Sequence, residues 1–129
     1  MKRVTGIGGL FFKAKDPKKI KEWYAKHLGF EADENGTVRF GWKDNENPQE
    51  TGWTIWSPFE QNTTYFEPSK KSFMFNYRVD DLNALLDQLR KEGVQVEDRT
   101  EEYEYGRFGW IMDPEGNRIE LWEPPKSNN

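Results

Sequence analysis

The 129-residue chain contains no cysteine and only one histidine, His27. Without cysteine it can form no disulfide scaffold, no thiol nucleophile and no thiolate metal site, and one imidazole cannot supply a histidine-rich metal centre. It also has no run of about 18 apolar residues, and the stretch after Met1 lacks the apolar segment of a signal peptide. These absences predict a cytoplasmic protein with no membrane partner.

Aliphatic residues are scarce as well, and aromatic residues take their place. Hydrophobic residues make up 34% of the chain and charged residues 33%, whereas there are 6 Trp, 5 Tyr and 9 Phe. Each aromatic side chain can bury roughly 150 to 250 Å², so we expect one domain with an aromatic-rich core or pocket. The net charge of −4 gives nucleic acid no general reason to bind.

The first half of the sequence predicts a strand, a capped helix and three further strands. The strand covers Val4 to Ala14, and Asp16-Pro17 then begins a helix that Gly29 ends. An apolar stripe at helical spacing predicts buried positions for Ile20, Trp23, Tyr24, His27 and Leu28. His27 is therefore interpreted as a structural residue. The later strands are predicted at Phe30 to Asp33, Thr37 to Trp42 and Thr51 to Ser57, the first two forming a hairpin around Asn35-Gly36.

The second half repeats this order after a connector at residues 58–71. A strand is predicted at Ser72 to Val79, and a helix capped by Asp80-Asp81 and closed by Gly93 follows it. The remaining strands are predicted at Val94 to Asp98, Glu104 to Met112 and Asn117 to Glu123. Gly29 follows Asp16 at the same distance as Gly93 follows Asp80, which indicates an internal duplication.

Three segments carry a family resemblance: FFKAKDPKKIKEWYAKHLGF, YRVDDLNALLDQLRKEGVQV and the closing DPEGNRIELWEP. The chain resembles the vicinal oxygen chelate superfamily, which includes glyoxalase I, extradiol dioxygenases and the fosfomycin- and bleomycin-resistance proteins. The resemblance implies an α+β fold in which two tandem βαβββ modules form an open, curled sheet around a cleft. We expect a single glyoxalase-like domain over 1–129, with module one at 1–57, the connector at 58–71 and module two at 72–125.

The resemblance also gives positions to compare with a metal site. Metal-dependent members place four cleft-facing ligands, mostly His and Glu, at corresponding points of the two modules. Here those positions fall on Gly9, on Thr54 or Ile55, on Met74 and on Glu120. One carboxylate cannot supply the three or four donors that a divalent ion needs. The sequence therefore predicts a branch of the family without metal or other cofactor.

Strand alternation indicates which side chains face the cleft. If Ile119 and Leu121 pack under a helix, then Arg118, Glu120 and Trp122 face the cleft. Together with the other strands, this parity predicts the following ligand-binding residues: Phe11, Met74, Asn76, Arg78, Arg118 and Trp122. Two more are predicted on other grounds: Trp110, because one face of the terminal hairpin meets the cleft, and Tyr105, because it lies in an aromatic and basic run that enters the seventh strand. Trp110 and Trp122 could instead be core residues, and the segment around Tyr105 is either a gate or an ordinary strand edge.

Glu120 is the predicted catalytic residue, because burial between apolar neighbours would raise its pKa and suit it to general acid or base work. Two other roles stay open, namely an ion pair with Arg78 or Arg118 and a contact with a cationic ligand.

These residues support two hypotheses about function. A non-enzymatic scaffold role stays open as a third, because a fold alone does not assign a function. The main hypothesis is a metal-independent protein that binds a small organic molecule, either as a bleomycin-resistance-like binder or as a glyoxalase-like lyase or isomerase that uses Glu120. The alternative is a metal-dependent lyase or dioxygenase with shifted ligands, drawn from the Lys43 to Gly52 loop or from a partner subunit. Exposed sheet edges and many aromatics predict a homodimer.

Overall fold

The computed structural model describes residues 2–126, so the ends of the predicted domain, Met1 and residues 127–129, lie outside the described residues. Two helices and eight strands follow in the order β1 (Val4–Ala14), α1 (Pro17–Leu28), β2 (Val38–Lys43), β3 (Thr51–Glu60), β4 (Phe73–Val79), α2 (Leu82–Lys91), β5 (Gln95–Val96), β6 (Glu101–Tyr103), β7 (Gly106–Met112) and β8 (Arg118–Glu123). No helix in residues 2–126 is long and apolar enough to cross a membrane.

All eight strands belong to one mixed sheet with the order β2-β3-β1-β4-β8-β7-β5, and β6 also pairs with β7. The first strands of the two halves, β1 and β4, lie antiparallel at the centre. Each central strand has the last strand of its own half as a parallel neighbour, β3 beside β1 and β8 beside β4. The α+β fold with two related halves around a curled sheet is confirmed.

The halves differ from the predicted strand pattern in detail. Phe30 to Asp33 forms only an isolated bridge, between Ala32 and Val38. The predicted turn still closes, because the Asp33 carboxylate accepts the backbone N–H groups of Asn35 and Thr37 and the Asp33 N–H donates to the Thr37 carbonyl. In the second half, residues 101–103 form a separate strand that the sequence analysis missed, and the predicted strand at Val94 to Asp98 is limited to Gln95–Val96. At the end of the first half, β3 continues through Pro58 to Glu60.

The helix ends follow the predicted chemistry. Asp16 and Asp81 each accept the backbone N–H of the residue three positions on, at 3.1 Å in both cases. Gly29 and Gly93 adopt positive φ values of 71° and 84°, a conformation that costs glycine little.

Two clusters of buried side chains lie on opposite faces of the sheet. On the convex face, α2 packs Leu82, Leu85 and Leu86 against Val79 and Leu121. On the concave face, Phe11, Met74 and Trp110 surround Phe66. Phe66 comes from the connector between the two halves and is fully buried, so this connector fills part of the concavity.

The predicted burial of the α1 stripe is wrong. No residue of α1 is buried, Trp23 is 52% exposed, and His27 is exposed and contacts Trp23 with ring centroids 4.9 Å apart. Tyr24 is half-buried on Trp56 of β3, at 4.6 Å between ring centroids. Helical spacing identifies the apolar face correctly, but it cannot tell how much sheet lies beneath that face.

Candidate functional site

Glu120 lies at the centre of the concave face of the second half. It stands on β8 between Asn76 of β4 and Trp110 of β7, with which it is in register, and only 2% of its surface is exposed. Its carboxylate accepts hydrogen bonds from Asn76 Nδ2 at 2.7 Å, from Trp110 Nε1 at 3.0 Å and from the Tyr65 hydroxyl. Tyr65 of the connector thus hydrogen-bonds to a carboxylate that is positioned by the sheet.

The proton equilibria of this pair are shifted. Burial raises the pKa of Glu120, although the hydrogen bonds from Tyr65, Asn76 and Trp110 oppose the shift by favouring the ionised form. Burial and the neighbouring Glu120 charge both raise the pKa of Tyr65. The tyrosine therefore keeps its proton, and Glu120 is the group of the pair that can exchange one.

Arg118 lies beside this cluster but belongs to a different ion pair. Its Nε and Nη2 donate to the two oxygens of Glu97 at 2.7 and 2.9 Å, and its Nη1 donates to the carbonyl of Tyr65 at 2.5 Å. The guanidinium carbon also lies 4.8 Å from the centroid of Trp110. Arg118 holds the connector in place and reaches Glu120 only through the long-range field that lowers its pKa.

Asn76 carries a buried polar atom with nothing to bind. Its amide nitrogen is engaged by Glu120, whereas its Oδ1 has no hydrogen-bond partner in residues 2–126. This oxygen lies over Gly8, where a Cβ would overlap it and would also come within 3.0 Å of Trp122 Cε3. Since buried acceptors are nearly always satisfied, this oxygen beside the Trp122 indole is free to accept a hydrogen bond from a further donor.

The concave face opens towards solvent along Trp122 and Phe108. These two half-buried rings stack with an interplanar angle of 12° and centroids 6.3 Å apart. The Trp122 indole nitrogen donates to the carbonyl of Tyr105 at 2.7 Å, and the Tyr105 side chain is 60% exposed. An aromatic wall thus leads from the surface to the Asn76 oxygen.

The structure brings eight of the nine predicted site residues onto this face, namely Phe11, Met74, Asn76, Arg78, Trp110, Arg118, Glu120 and Trp122. Tyr105 lies at its outer edge. Of the suggested ion pairs, Arg78 binds Asp44 and Arg118 binds Glu97, so neither arginine is hydrogen-bonded to Glu120.

Sequence reasoning missed three residues of the site. Tyr65 donates to Glu120, Asp44 binds Arg78, and the Trp42 ring lies 5.1 Å from the Arg78 guanidinium carbon. Tyr65 sits in a connector with neither helical nor strand periodicity, and the aromatic pair Tyr65-Phe66 within a polar segment is the one signal that could have pointed to it. Asp44 looked like an ordinary residue of an exposed loop.

The residues at the family's metal-ligand positions do not fit a metal ion. Gly9, Ile55 and Met74 supply no carboxylate or imidazole, so Glu120 is the single such side chain at these positions. In the loop proposed as a source of shifted ligands, Asp44 pairs with Arg78 and Glu46 pairs with Lys2. Within residues 2–126 no three His, Asp or Glu side chains are grouped as metal ligands.

The chain matches one protein family by sequence and several solved structures by fold. The family model described as Glyoxalase/Bleomycin resistance protein/Dioxygenase superfamily matches residues 6–121. No curated protein is similar to the chain at a significant level.

Three similar solved structures illustrate the match. A Streptomyces coelicolor methylmalonyl-CoA epimerase variant in complex with 2-nitronate-propionyl-CoA has a TM-score of 0.67 and 18% identity, covering 95% of this chain and 99% of that one. The Mycobacterium tuberculosis methylmalonyl-CoA epimerase has a TM-score of 0.58 and 22% identity, covering 95% and 90%. A superfamily member from Vibrio splendidus 12B01 has a TM-score of 0.56 and 13% identity, covering 91% and 97%. At these identities the likeness shows the fold.

Proposed function

Since the chain belongs to the Glyoxalase/Bleomycin resistance protein/Dioxygenase superfamily, we propose that its concave face binds a small, partly planar organic molecule next to Glu120. The observation that carries the proposal is the unpartnered Asn76 Oδ1, which is buried beside Trp122 and one hydrogen bond away from the Glu120 carboxylate. A ligand with an N–H or O–H donor would satisfy that oxygen, and the Trp122 and Phe108 rings would stack on its plane.

Binding requires no metal ion in this proposal. The polar groups that would orient the molecule are side chains already in place: the Asn76 amide, the Glu120 carboxylate and the Tyr65 hydroxyl. A planar molecule enters along the half-buried side of Trp122, because the opposite side of the concavity is filled by Phe66 and Phe11. The proteins with similar structures include one in complex with a CoA ester, which supports a small-molecule ligand.

Glu120 exchanges a proton with the bound molecule, which makes the protein a lyase- or isomerase-type enzyme. A general acid or base works best when its pKa lies near the operating pH. Burial raises the pKa of Glu120 in that direction. The carboxylate takes a proton from a carbon or oxygen of the ligand, and the resulting carboxyl group returns it at another position. Tyr65 keeps its own proton and holds Glu120 in place through its hydroxyl.

The binding step is tested by NMR on the indole N–H signals, with a set of planar fragments as probes. We expect fragments with an N–H donor to shift the signals of Trp110 and Trp122 and to leave that of Trp53, which lies against Arg39, unchanged. The variant Asn76→Leu should abolish these shifts. Asn117→Leu is the matched control, because Asn117 Oδ1 is also buried without a partner but lies in the turn before β8. Equal loss in both variants would contradict the proposed site.

The proton-transfer step is tested separately, with methylmalonyl-CoA and free methylmalonate as probes in D2O. Wild-type protein should incorporate deuterium at the acidic carbon of at least one probe, as followed by mass spectrometry. Glu120→Gln should stop the incorporation while the indole shifts on binding remain. Deuterium incorporation that survives in Glu120→Gln would remove the catalytic role and leave Glu120 as a binding residue.

The protein acts as a homodimer in this proposal, with its convex face as the contact. The helices cover the outer strands and leave the central pair bare, so that Leu10 and Phe75, which are in register, are each 39% exposed. Beside them, Phe12, Ile20 and Trp23 line a groove of about 620 Å³ between β1 and α1. A second copy of the same apolar surface would cover both.

Association is tested by sedimentation velocity at several protein concentrations. Wild-type protein should sediment as a dimer, and Leu10→Lys or Trp23→Lys should give monomers, because a charge would be buried without a partner. Tyr105→Lys is the control, since Tyr105 is equally aromatic and exposed but lies at the edge of the concave face. Monomeric wild-type protein at all concentrations would contradict the dimer.

A further inference from the structure

A second buried arginine, Arg78, shares the concave face with Asn76. It lies two residues further along β4 and in register with Trp122, and only 5% of its surface is exposed. Its Nη2 donates to Asp44 Oδ2 at 2.5 Å and its Nε donates to Thr5 Oγ1 at 2.9 Å. The Trp42 ring, which rests on Gly6 and Gly52, lies 5.1 Å from the guanidinium carbon.

The contacts of Arg78 are incomplete compared with those of Arg118. Arg118 binds Glu97 through two parallel hydrogen bonds and uses its third nitrogen on a carbonyl. Arg78 binds Asp44 through one nitrogen, and its Nη1 donates to no atom of residues 2–126. Since a planar guanidinium binds a carboxylate best through two donors at once, Arg78 can accept a better partner than Asp44.

Asp44 reaches Arg78 from an exposed loop. It stands at the start of the polar loop that joins β2 and β3, and residues 45–50 of this loop are all exposed. Besides Arg78, the Asp44 carboxylate contacts only its own loop, where Oδ1 accepts the backbone N–H of Glu46 at 2.9 Å. If the loop moves outward, Asp44 is hydrated by water and Arg78 is left open.

We infer that Asp44 is an internal ligand in a carboxylate subsite formed by Arg78 and Trp42, and that a bound molecule with a carboxylate group displaces it. The inference rests on the proposed function, because the subsite lies next to Asn76 and Trp122 on the same face. The expected ligand is a small, partly planar carboxylic acid whose carboxylate accepts hydrogen bonds from Nη1 and Nη2 of Arg78 together.

Benzoate and its neutral analogue benzamide are the probes, with dissociation constants measured from the indole shifts. Asp44→Asn removes the competing charge, so benzoate should bind at least about fivefold more tightly than to the wild type, the lower end of coupling between linked binding events. Benzamide affinity should change less than twofold. Glu46→Gln is the matched control, since it removes a negative charge from the same loop, where Glu46 pairs with Lys2 and not with Arg78, and it should leave benzoate affinity unchanged.

A second measurement uses the wild-type protein alone, in case Asp44→Asn does not fold. Saturating benzoate should speed hydrogen exchange at the Glu46 amide, which loses its acceptor when Asp44 leaves, and benzamide should not. Equal gains for benzoate and benzamide in Asp44→Asn, or an equal gain for benzoate in Glu46→Gln, would overturn the inference. In that case benzamide shifts that depend on Asn76 would still support the proposed binding site, so the two failures can be told apart.

Discussion

The two halves of this protein have helices of similar design that contribute differently to its core. Both begin with an aspartate that accepts an N–H at 3.1 Å, and both are followed by a glycine with positive φ. Yet α2 buries Leu82, Leu85 and Leu86, whereas α1 buries no residue and leaves Trp23 half exposed. A duplicated local pattern thus specifies where a helix begins and ends, and the partner surface decides what the helix contributes to stability.

The same contrast extends to the charged groups. The second half holds a carboxylate, Glu120, whose pKa burial raises, and an arginine whose three donor groups are engaged. The first half supplies Asp44, whose pKa is lowered by the N–H of Glu46 and by Arg78. The second half therefore holds the buried polar centre, and the first half contributes a carboxylate from an exposed loop beside it.

The largest expected effect separates the two helices by core substitution. Leu86→Ala should reduce the free energy of unfolding by about 2 to 5 kcal/mol, because it leaves a cavity under α2. Ile20→Ala on half-buried α1 should cost less than about 1 kcal/mol. Urea unfolding followed by fluorescence measures both, at a concentration low enough to keep the protein monomeric. Equal losses would mean that α1 packs more tightly than described.

A smaller effect is expected from the caps. Asp81→Ala should lower the stability of the whole domain by about 1 kcal/mol, because α2 unfolds together with the core. Asp16→Ala removes an equivalent hydrogen bond, but it should mainly speed amide exchange within α1 and leave the global unfolding curve closer to that of the wild type. Denaturation curves and hydrogen exchange on both variants check this, and a global loss for Asp16→Ala as large as for Asp81→Ala would contradict it.

The smallest effect is a pH slope of opposite sign in the two halves. The raised pKa of Glu120 gives a contribution to stability that is full below its ordinary value of 4.5 and is lost as the pH rises through the folded-state pKa. The lowered pKa of Asp44 gives a contribution that is present above 3.8 and is lost as the pH falls through the folded-state value.

These signs are measured as the difference in free energy of unfolding between each variant and the wild type. Glu120→Gln should gain on the wild type as the pH rises from 4 to 7. Asp44→Asn should gain on the wild type as the pH falls from 5 towards 3. Parallel slopes for the two variants would show that one of the carboxyl groups is in a different environment from the one described.

Local chemistry made much of this fold predictable from the sequence. Asp16-Pro17, Asp81, Gly29 and Gly93 work through contacts within four residues, so their roles can be read from neighbouring letters. Strand parity placed Glu120, Asn76 and Trp122 on one face for the same reason, since alternation depends only on the strand itself. The predicted strand at Phe30 to Asp33 shortened to the Ala32–Val38 bridge, whereas the Asp113 turn, with the same side-chain hydrogen bonds, joins two full strands. The turn residues therefore do not decide how far the flanking strands pair.

The partners of the site residues could not be predicted in this way. Tyr65 lies 55 positions from Glu120, and Asp44 lies 34 positions from Arg78. Each comes from an irregular segment whose course depends on the whole fold. The sequence therefore indicates which groups a strand presents, whereas the residues that meet them from connectors and loops follow from the three-dimensional packing.

The position of Trp42 has a consequence for how this sequence can change during evolution. Its ring lies where side chains on both Gly6 and Gly52 would be, although these glycines belong to different strands. Any larger residue at either glycine collides with the indole, and a smaller residue at 42 leaves two backbones facing an empty space. We therefore expect positions 6, 42 and 52 to change together, so that a lineage that loses the tryptophan is the one free to lose the glycines.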